Sequence, residues 1–467
     1  MIISLLLSFV FLTDFPICTA PGYQEEPSVA FDGEKYLVVW IDERSGAGKY
    51  DIWGQFVGQS GALIDTNFPI CVAESIQSGP IVCFGDSNYL VVWWDHRNET
   101  PSTLHCRMIS TTGALLDTEF ALGDTNGWLQ DIAFNGSNFI VVWWYYGTYK
   151  ICYRFISADG VPLDVIYTIP PTASQHVGPQ IAFSGSNYLV VWEDIPPGSQ
   201  PWSICGCRVS DSGVPLDTSF LIIQGENLQI IPDVASSGDN YLVIASTRDT
   251  IFGRIVSLQG EPIGEPFPVA TDSPRVMCSV IWTDTAYLVT WEEETGIKAA
   301  TDIYGQWVSK NGTLMGLHFV ICDAYHYQMA PVSAYGDSNC LVAWDDTRGP
   351  DYDIYGSIIP RYGVEEQTEL RVKNLELKVS PNPFIQKTVI ELRSLEIEEL
   401  GELQIYDLVG RVVKSFAIPD NRPPITTIIW DGTDDFGREV RNGIYFLKIK
   451  VESETKLKKL IKMGVKL

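Results

Sequence analysis

Seven times along the chain a short apolar run ends in nearly the same way. "YLVVW" closes at Trp40, Trp93 and Trp192, "FIVVW" at Trp143, "YLVIA" at Ala245, "YLVTW" at Trp291 and "CLVAW" at Trp344. The steps between them are 53, 50, 49, 53, 46 and 53 residues. A period of this length marks an array of supersecondary units and constrains the fold more than any single motif. The runs are apolar at consecutive positions, so a strand formed there has both faces buried. One unit alone would leave such a strand exposed.

Each unit has the same parts. A short strand such as "PSVAF" or "PQIAF" comes first, then a turn such as "DGEK" or "SGSN", then the apolar run. Gly, Asn and Asp supply the positive φ that tight hairpins need. A variable loop leads to a third strand, and here one phrase recurs: "YDIWGQFVGQSG" (Tyr50–Gly61), "TDIYGQWVSKNG" (Thr301–Gly312) and "YDIYGSIIPRYG" (Tyr352–Gly363). Its internal glycine reads as a bulge or a close backbone approach. A second turn ends at Gly61, Gly113, Gly160, Gly213, Gly260, Gly312 and Gly363, and a fourth strand such as "FPIC" or "FVIC" follows.

Four antiparallel strands per unit, with no helical periodicity between them, predict an all-β chain. The expected architecture is a seven-bladed β-propeller of four-stranded blades over residues 13–362. Small residues in the first strand (Ala30, Cys83, Ala133, Ala182, Ala235 and Ala334, with Val280 in the sixth copy) suit an innermost strand near the axis. A row of separate hairpin domains is the alternative. The seventh copy supplies only three strands, to about Ile359. Near the N-terminus "TDFPIC" (13–18) matches the fourth strand "TNFPIC" (Thr66–Cys71), so this segment is expected to close the last blade and remove a free edge.

Residues 1–12, "MIISLLLSFVFL", have signal-peptide length and are too short to span a bilayer, although no basic residue precedes the apolar stretch. "CTA" at Cys18–Ala20 is a passable cleavage site, but cutting there would discard the closing strand. Cleavage near Leu12 or a true start further upstream removes the conflict, and the second is preferred. No other stretch is long and apolar enough to span a membrane.

Charge narrows the partners. The chain has 32 Lys/Arg and 58 Asp/Glu; from Arg371 onward there are 17 and 14, which leaves 15 and 44 before it, a net of −29. Such a field repels nucleic acid and anionic membranes and suits cations, neutral sugars or basic partners. It equally serves the solubility of an exported protein. Of ten cysteines, Cys18, Cys71 and Cys322 share one repeat position. They read as small buried residues, with disulfides permitted outside the cell.

After a polar linker (363–374) the composition changes. Residues 375–467 carry "SPNPF" (Ser380–Phe384), "IYDLVGRVV" (Ile405–Val413), "WDGTDDFGREVRNGIYF" (Trp430–Phe446) and a closing "KKLIKM". Alternating strands and explicit turns predict a small C-terminal Ig-like β-sandwich. These motifs resemble the FlgD-type immunoglobulin-like domains and the C-terminal sorting domains of type IX secretion cargo. The resemblance implies export to the cell surface or beyond, contact with the secretion machinery, and no particular chemistry.

In a four-stranded blade the second loop and the blade-to-blade crossover share one face, and here the second loop varies most. Variation on a rigid scaffold is where function concentrates. The candidate ligand-binding residues on that face are Asp42, Trp94, Asp95, Trp144, Tyr145, Glu193, Trp202, Glu292, Asp345 and Asp346. Aromatic platforms with carboxylates suit an extracellular glycan or protein, and clustered carboxylates make calcium a possible cofactor. The competing explanation is structural: "D-x-R" recurs at Asp42/Arg44, Asp95/Arg97 and Asp346/Arg348, as a blade-stapling ion pair would. No HExxH, GxSxG or phosphate-loop motif is present, and the five histidines show no ligand spacing. A binding protein is therefore the leading expectation. A propeller glycoside hydrolase or lyase is the alternative, since that chemistry needs only two suitably spaced carboxylates.

Overall fold

The computed structural model describes residues 14–361 except 98–102, 117, 123–126, 146, 171, 199–201, 225–229, 248, 272–273 and 295–299. Beyond these it describes 375–380, 387–394, 400–406, 411–416, 425–440, 443–451 and 454–462. The signal-like segment 1–12 and the linker 363–374 lie outside the described residues. The chain divides into two compact units, Met1–Val364 and Glu365–Leu467. No helix occurs among the described residues.

Among the described residues the first unit holds seven four-stranded antiparallel sheets. The first sheet runs in order through Gln24–Phe31, Lys35–Asp42, Asp51–Gly58 and Leu63–Cys71. Five more follow in the same order, and each inner strand packs against the inner strands on either side. The seventh inner strand, Gln328–Gly336, packs against the first, so the sheets form a closed ring of blades. The outer strand of the seventh blade is Phe15–Cys18, paired antiparallel with Asp353–Pro360.

The repeated apolar run accounts for the packing between blades. Leu37, Val39 and Ile41 enter a core shared with the second blade, while Tyr36, Val38 and Trp40 enter one shared with the seventh. Both faces are thus buried, and six tryptophans of this position or its equivalents are fully enclosed. The tyrosine that opens the run also ties blades together. The Tyr36 hydroxyl donates to Asn339 Oδ1, and the Tyr241 hydroxyl to Asn187 Oδ1 at 2.8 Å, in each case in the first turn of the preceding blade.

The glycine of the recurring phrase is a close approach. A Cβ on Gly305 would lie 2.8 Å from the Phe319 ring, and one on Gly356 would lie 2.8 Å from Ile17 Cδ1, both in the neighbouring outer strand. The terminal turn glycine has a different cause, with Gly61, Gly113 and Gly312 all near φ +82°. One expectation needs correcting. The small-residue position of the inner strand lies opposite Leu37, Leu90 and their equivalents, and in the sixth blade the residue paired with Leu288 is Ile281. Val280 faces the other way and is buried. The first turn of that blade has the same length as the others, so pairing counts back from Leu288 to Ile281, which is accommodated half-buried.

The second unit has a three-stranded sheet (Leu375–Ser380, Thr388–Ser394, Ile425–Trp430) and a four-stranded one. Ile390 and Trp430 of the first share one apolar core with Leu403, Ile405, Leu447 and Leu460 of the second.

Candidate functional site

The expected residues sit at the second-loop end of the blades, most of them at the two positions that follow the repeated tryptophan. The residue after the repeated tryptophan faces the next blade, and the one after that turns back to its own.

The second set makes staples. Asp42 is fully buried and accepts from Trp40 Nε1 at 2.8 Å, from the Arg44 backbone N–H at 2.9 Å, and from Arg44 Nε and Nη2 at 2.8 and 2.6 Å. Asp95 and Asp346 repeat the arrangement with Trp93/Arg97 and Trp344/Arg348. Burial pushes the Asp95 carboxyl up, but the bonds from Arg97 and Trp93 outweigh it and hold it below the usual range. Each arginine then reaches across to the preceding blade: Arg44 Nη2 donates to Cys18 Sγ at 3.1 Å, Arg97 to Cys71 at 3.8 Å and Arg348 to Cys322 at 3.2 Å. A third contact goes to the outer strand of its own blade, at Asn67, Glu119 or Asp14. Arg44 also lies 3.9 Å over the Trp53 ring and Arg348 4.0 Å over Tyr355. The three staples occupy blades 7, 1 and 2, the run around the seam where the chain closes on itself. The shared cysteine position is therefore an acceptor for arginine. All ten cysteines are free thiols, with burial raising Cys18 to about 11 and Cys322 to about 12.

The first set makes caps. Inner strands carry a bulge at their entry, with positive φ at Glu26, Gly79, Gly178, Ile231 and Ala330. Glu193 Oε1 accepts the Ile231 N–H at 2.8 Å, and Glu292 Oε2 accepts the Ala330 N–H at 2.9 Å. Asp345 holds the same position in the seventh blade, beside the Glu26 backbone of the first. In the first blade this position is Ile41, and the Gly79 N–H is taken at 2.7 Å by the Glu26 side chain. Asp345 differs from the other caps. It is as buried as Glu193 and Glu292, but its Oδ1 has no hydrogen-bond partner.

The aromatic candidates divide. Trp94 is buried in the core between blades 2 and 3. Tyr145 packs partly against that core. Trp144 stacks on Tyr149 at 5.7 Å and 7°. Trp202 is half-buried, its indole N–H without a partner. Among the described residues no three His, Cys, Asp or Glu side chains converge as metal ligands would.

Two features were missed. Tyr23, Tyr325 and Tyr327 are exposed on the crossovers, and Tyr23 meets Tyr352 edge-to-face at 5.7 Å. They lie in short connecting segments rather than in the variable loops. Asp131 and Asp233 belong to inner strands. Asp131 accepts from the Ile132 and Ile181 backbone, and Asp233 from Val234 and Val280, each bracing two neighbouring blades. Burial raises them to about 8 and about 7, against those hydrogen bonds. A single Asp in a strand of "DIAF" or "DVAS" looks like an outward residue, so only the ring geometry reveals that it is half-buried between two blades.

The fold is that of a β-propeller protein with a separate C-terminal β-sandwich. Residues 378–463 match the family described as "Secretion system C-terminal sorting domain". The chain therefore carries a type IX sorting domain and is exported to the cell surface or beyond. No curated protein matches the chain. Among solved structures it is similar to the acylaminoacyl peptidase of Pyrococcus horikoshii (11% identity, TM-score 0.44), covering 81% of this chain and 58% of that one. The β-propeller domain of the Trilobed protease from Pyrococcus furiosus is similar at 9% identity and TM-score 0.45, covering 73% and 94%. PorZ, a surface component of the type IX secretion system of Porphyromonas gingivalis, is similar at 12% identity and TM-score 0.41, covering 93% and 59%. The chain spans less than two thirds of the length of the first and third. No helix among the described residues is long and apolar enough to cross a membrane.

Proposed function

We propose that this protein is an exported propeller that binds an extracellular glycan or protein on its second-loop face without turning it over. The observation that carries this reading is the set of exposed crossover tyrosines, Tyr23, Tyr325 and Tyr327, beside Tyr352, on which Glu25 and Asp345 act electrostatically, a surface suited to recognition. In this reading the apolar segment 1–12 is the export signal and the C-terminal sandwich is FlgD-like. The staples and caps argue against catalysis, because most of the face's carboxylates are already committed to hydrogen bonds. One observation favours the hydrolase or lyase alternative. Burial and the neighbouring acids Glu25, Glu26 and Glu292 hold Asp345 well above the usual carboxylate range, as a general acid requires. The test is an array of glycans and polysaccharides, with and without calcium, in which every bound ligand is checked for released product. Binding without product supports the proposal, and product release replaces it with the alternative. Silence on all glycans leaves a protein ligand as the form of the proposal to be tested next.

A further inference from the structure

The inference deepens the binding reading by naming the chemistry the face selects, and it rests on that reading. The starting point is Asp345. It lies beside the Glu26 backbone of the first blade, and its Oδ1 is buried with no donor. A buried oxygen left without a partner is costly, so a donor that reached it would be favoured. The charges acting most strongly on Asp345 are all negative: Glu25 and Glu26 from the first blade and Glu292 from the sixth. Glu25 is half-buried, and burial together with Glu26 and Glu43 raises its carboxyl too. A positive ligand would turn each of these repulsions into an attraction.

The wall of the same junction is aromatic. Tyr23 leads into the first inner strand and Tyr327 into the seventh, 40% and 39% exposed. Tyr352 lies between them: its ring meets Tyr23, its carbonyl accepts the Gln24 N–H at 2.9 Å, and both Asp345 and Tyr327 act on it electrostatically. Carboxylate and tyrosine faces together are the chemistry that recognises ammonium and guanidinium groups. The carboxylates do not converge as metal ligands would, which favours a bulkier organic cation over a bare ion. The tyrosines continue over two blades, and residues 1–370 carry a net −29 (15 basic against 44 acidic), so several cationic groups on one chain gain more than a single one.

We infer that the junction of blades 6, 7 and 1 on the second-loop face binds the side-chain cations of a basic peptide, with Asp345 as the buried anchor and Tyr23, Tyr327 and Tyr352 as the aromatic wall. The test uses the full chain and tetralysine, titrated calorimetrically at about 150 mM salt, where diffuse surface attraction is screened. Its fully ε-acetylated form is the neutral control. Asp345→Asn keeps the shape and one acceptor but cannot ionise beside a cation; it is expected to weaken tetralysine binding tenfold or more. Tyr327→Leu is expected to weaken it severalfold, and Glu261→Gln, in an exposed turn of the fifth blade, to leave it unchanged. Should Asp345→Asn fail to fold, Glu25→Gln is the substitute, with a severalfold loss expected. Equal binding to wild type and Asp345→Asn, equal binding of the acetylated peptide, or no binding to wild type overturns the inference. Calcium binding that depends on Asp345, with no tetralysine binding, also overturns it in favour of a metal. A glycan bound on the array while tetralysine fails overturns this inference and leaves the broader binding proposal intact; failure of both overturns this inference and confines the broader proposal to a protein ligand that is not basic.

Discussion

The staple at Asp42 allows a quantitative test of whether these acids are structural. Asp42→Asn retains the shape and one acceptor but places an amide among four donor contacts from Trp40 and Arg44. Breaking a fully buried pair costs about 3–5 kcal/mol. The Arg44 side chain is 21% exposed and keeps its contacts with Asn67 and Cys18, so the lower part of that range applies, about 3 kcal/mol. Unfolding entropy is about 2.1 cal/mol/K per residue, so a ring of roughly 350 residues has about 0.7 kcal/mol/K. The expected fall in Tm is therefore about 4 °C, read by calorimetry or by the fluorescence of the buried tryptophans. A double-mutant cycle with Arg44→Met should recover much of the loss, because the uncompensated cation is then gone. A cost below about 1 kcal/mol, the range of a surface ion pair, would refute the staple argument. So would loss of ligand binding in a variant whose stability is unchanged.

Other outcomes follow from the same geometry. Removing residues 14–18 should expose the edge of Asp353–Pro360 and release Arg348 and Arg44 from Asp14 and Cys18. Hydrogen exchange in that strand should accelerate markedly, and unchanged protection would show that the closing strand is dispensable. Gly305→Ala drives a methyl against Phe319 and should cost about 1–3 kcal/mol in denaturant unfolding; a neutral result would mean that the outer strand yields easily. Asp131 and Asp233 have folded-state pKa values raised to about 8 and about 7, so the folded state holds protons that the unfolded state has released above about pH 4. Stability should therefore fall as pH rises from about 4 to 8, and the double variant Asp131→Asn/Asp233→Asn should flatten that slope. A wild-type Tm that is level across this window would contradict the enclosure argument. With all ten cysteines free and nearly all buried, thiol reagent should find few sites in the native protein and ten after denaturation; a lower denatured count would reveal disulfides.

Much of the architecture is legible in the amino-acid sequence. Strand identity rests on local rules: consecutive apolar residues, turn glycines at positive φ, and a repeat that places them at equal spacing. The N-terminal "FPIC" was recognisable as an outer strand because it copies Thr66–Cys71. The Val280 assignment failed by one residue, since small-residue spacing alone does not set register, whereas the hairpin turn does. The candidate face was legible only as a region. Asp345 and Asp346 are neighbours in sequence and indistinguishable by type, yet one turns toward the next blade's bulge and the other toward its own Trp344 and Arg348.

The amino-acid order by itself determined the strands, their grouping into fours, the closing role of the N-terminal segment and the acidic character of the ring, because each of these depends on residues close in the chain or on composition. Closure into a ring decided the rest. It brought Glu25 of the first blade, Glu292 of the sixth and Asp345 of the seventh to one junction, although more than 300 positions separate the outermost two. It also determined which carboxylates were consumed by arginines and bulge amides and which oxygen was left without a donor. Hydrogen-bond satisfaction is a property of three-dimensional neighbours, and in a ring every blade has neighbours in the blade before it and the blade after it.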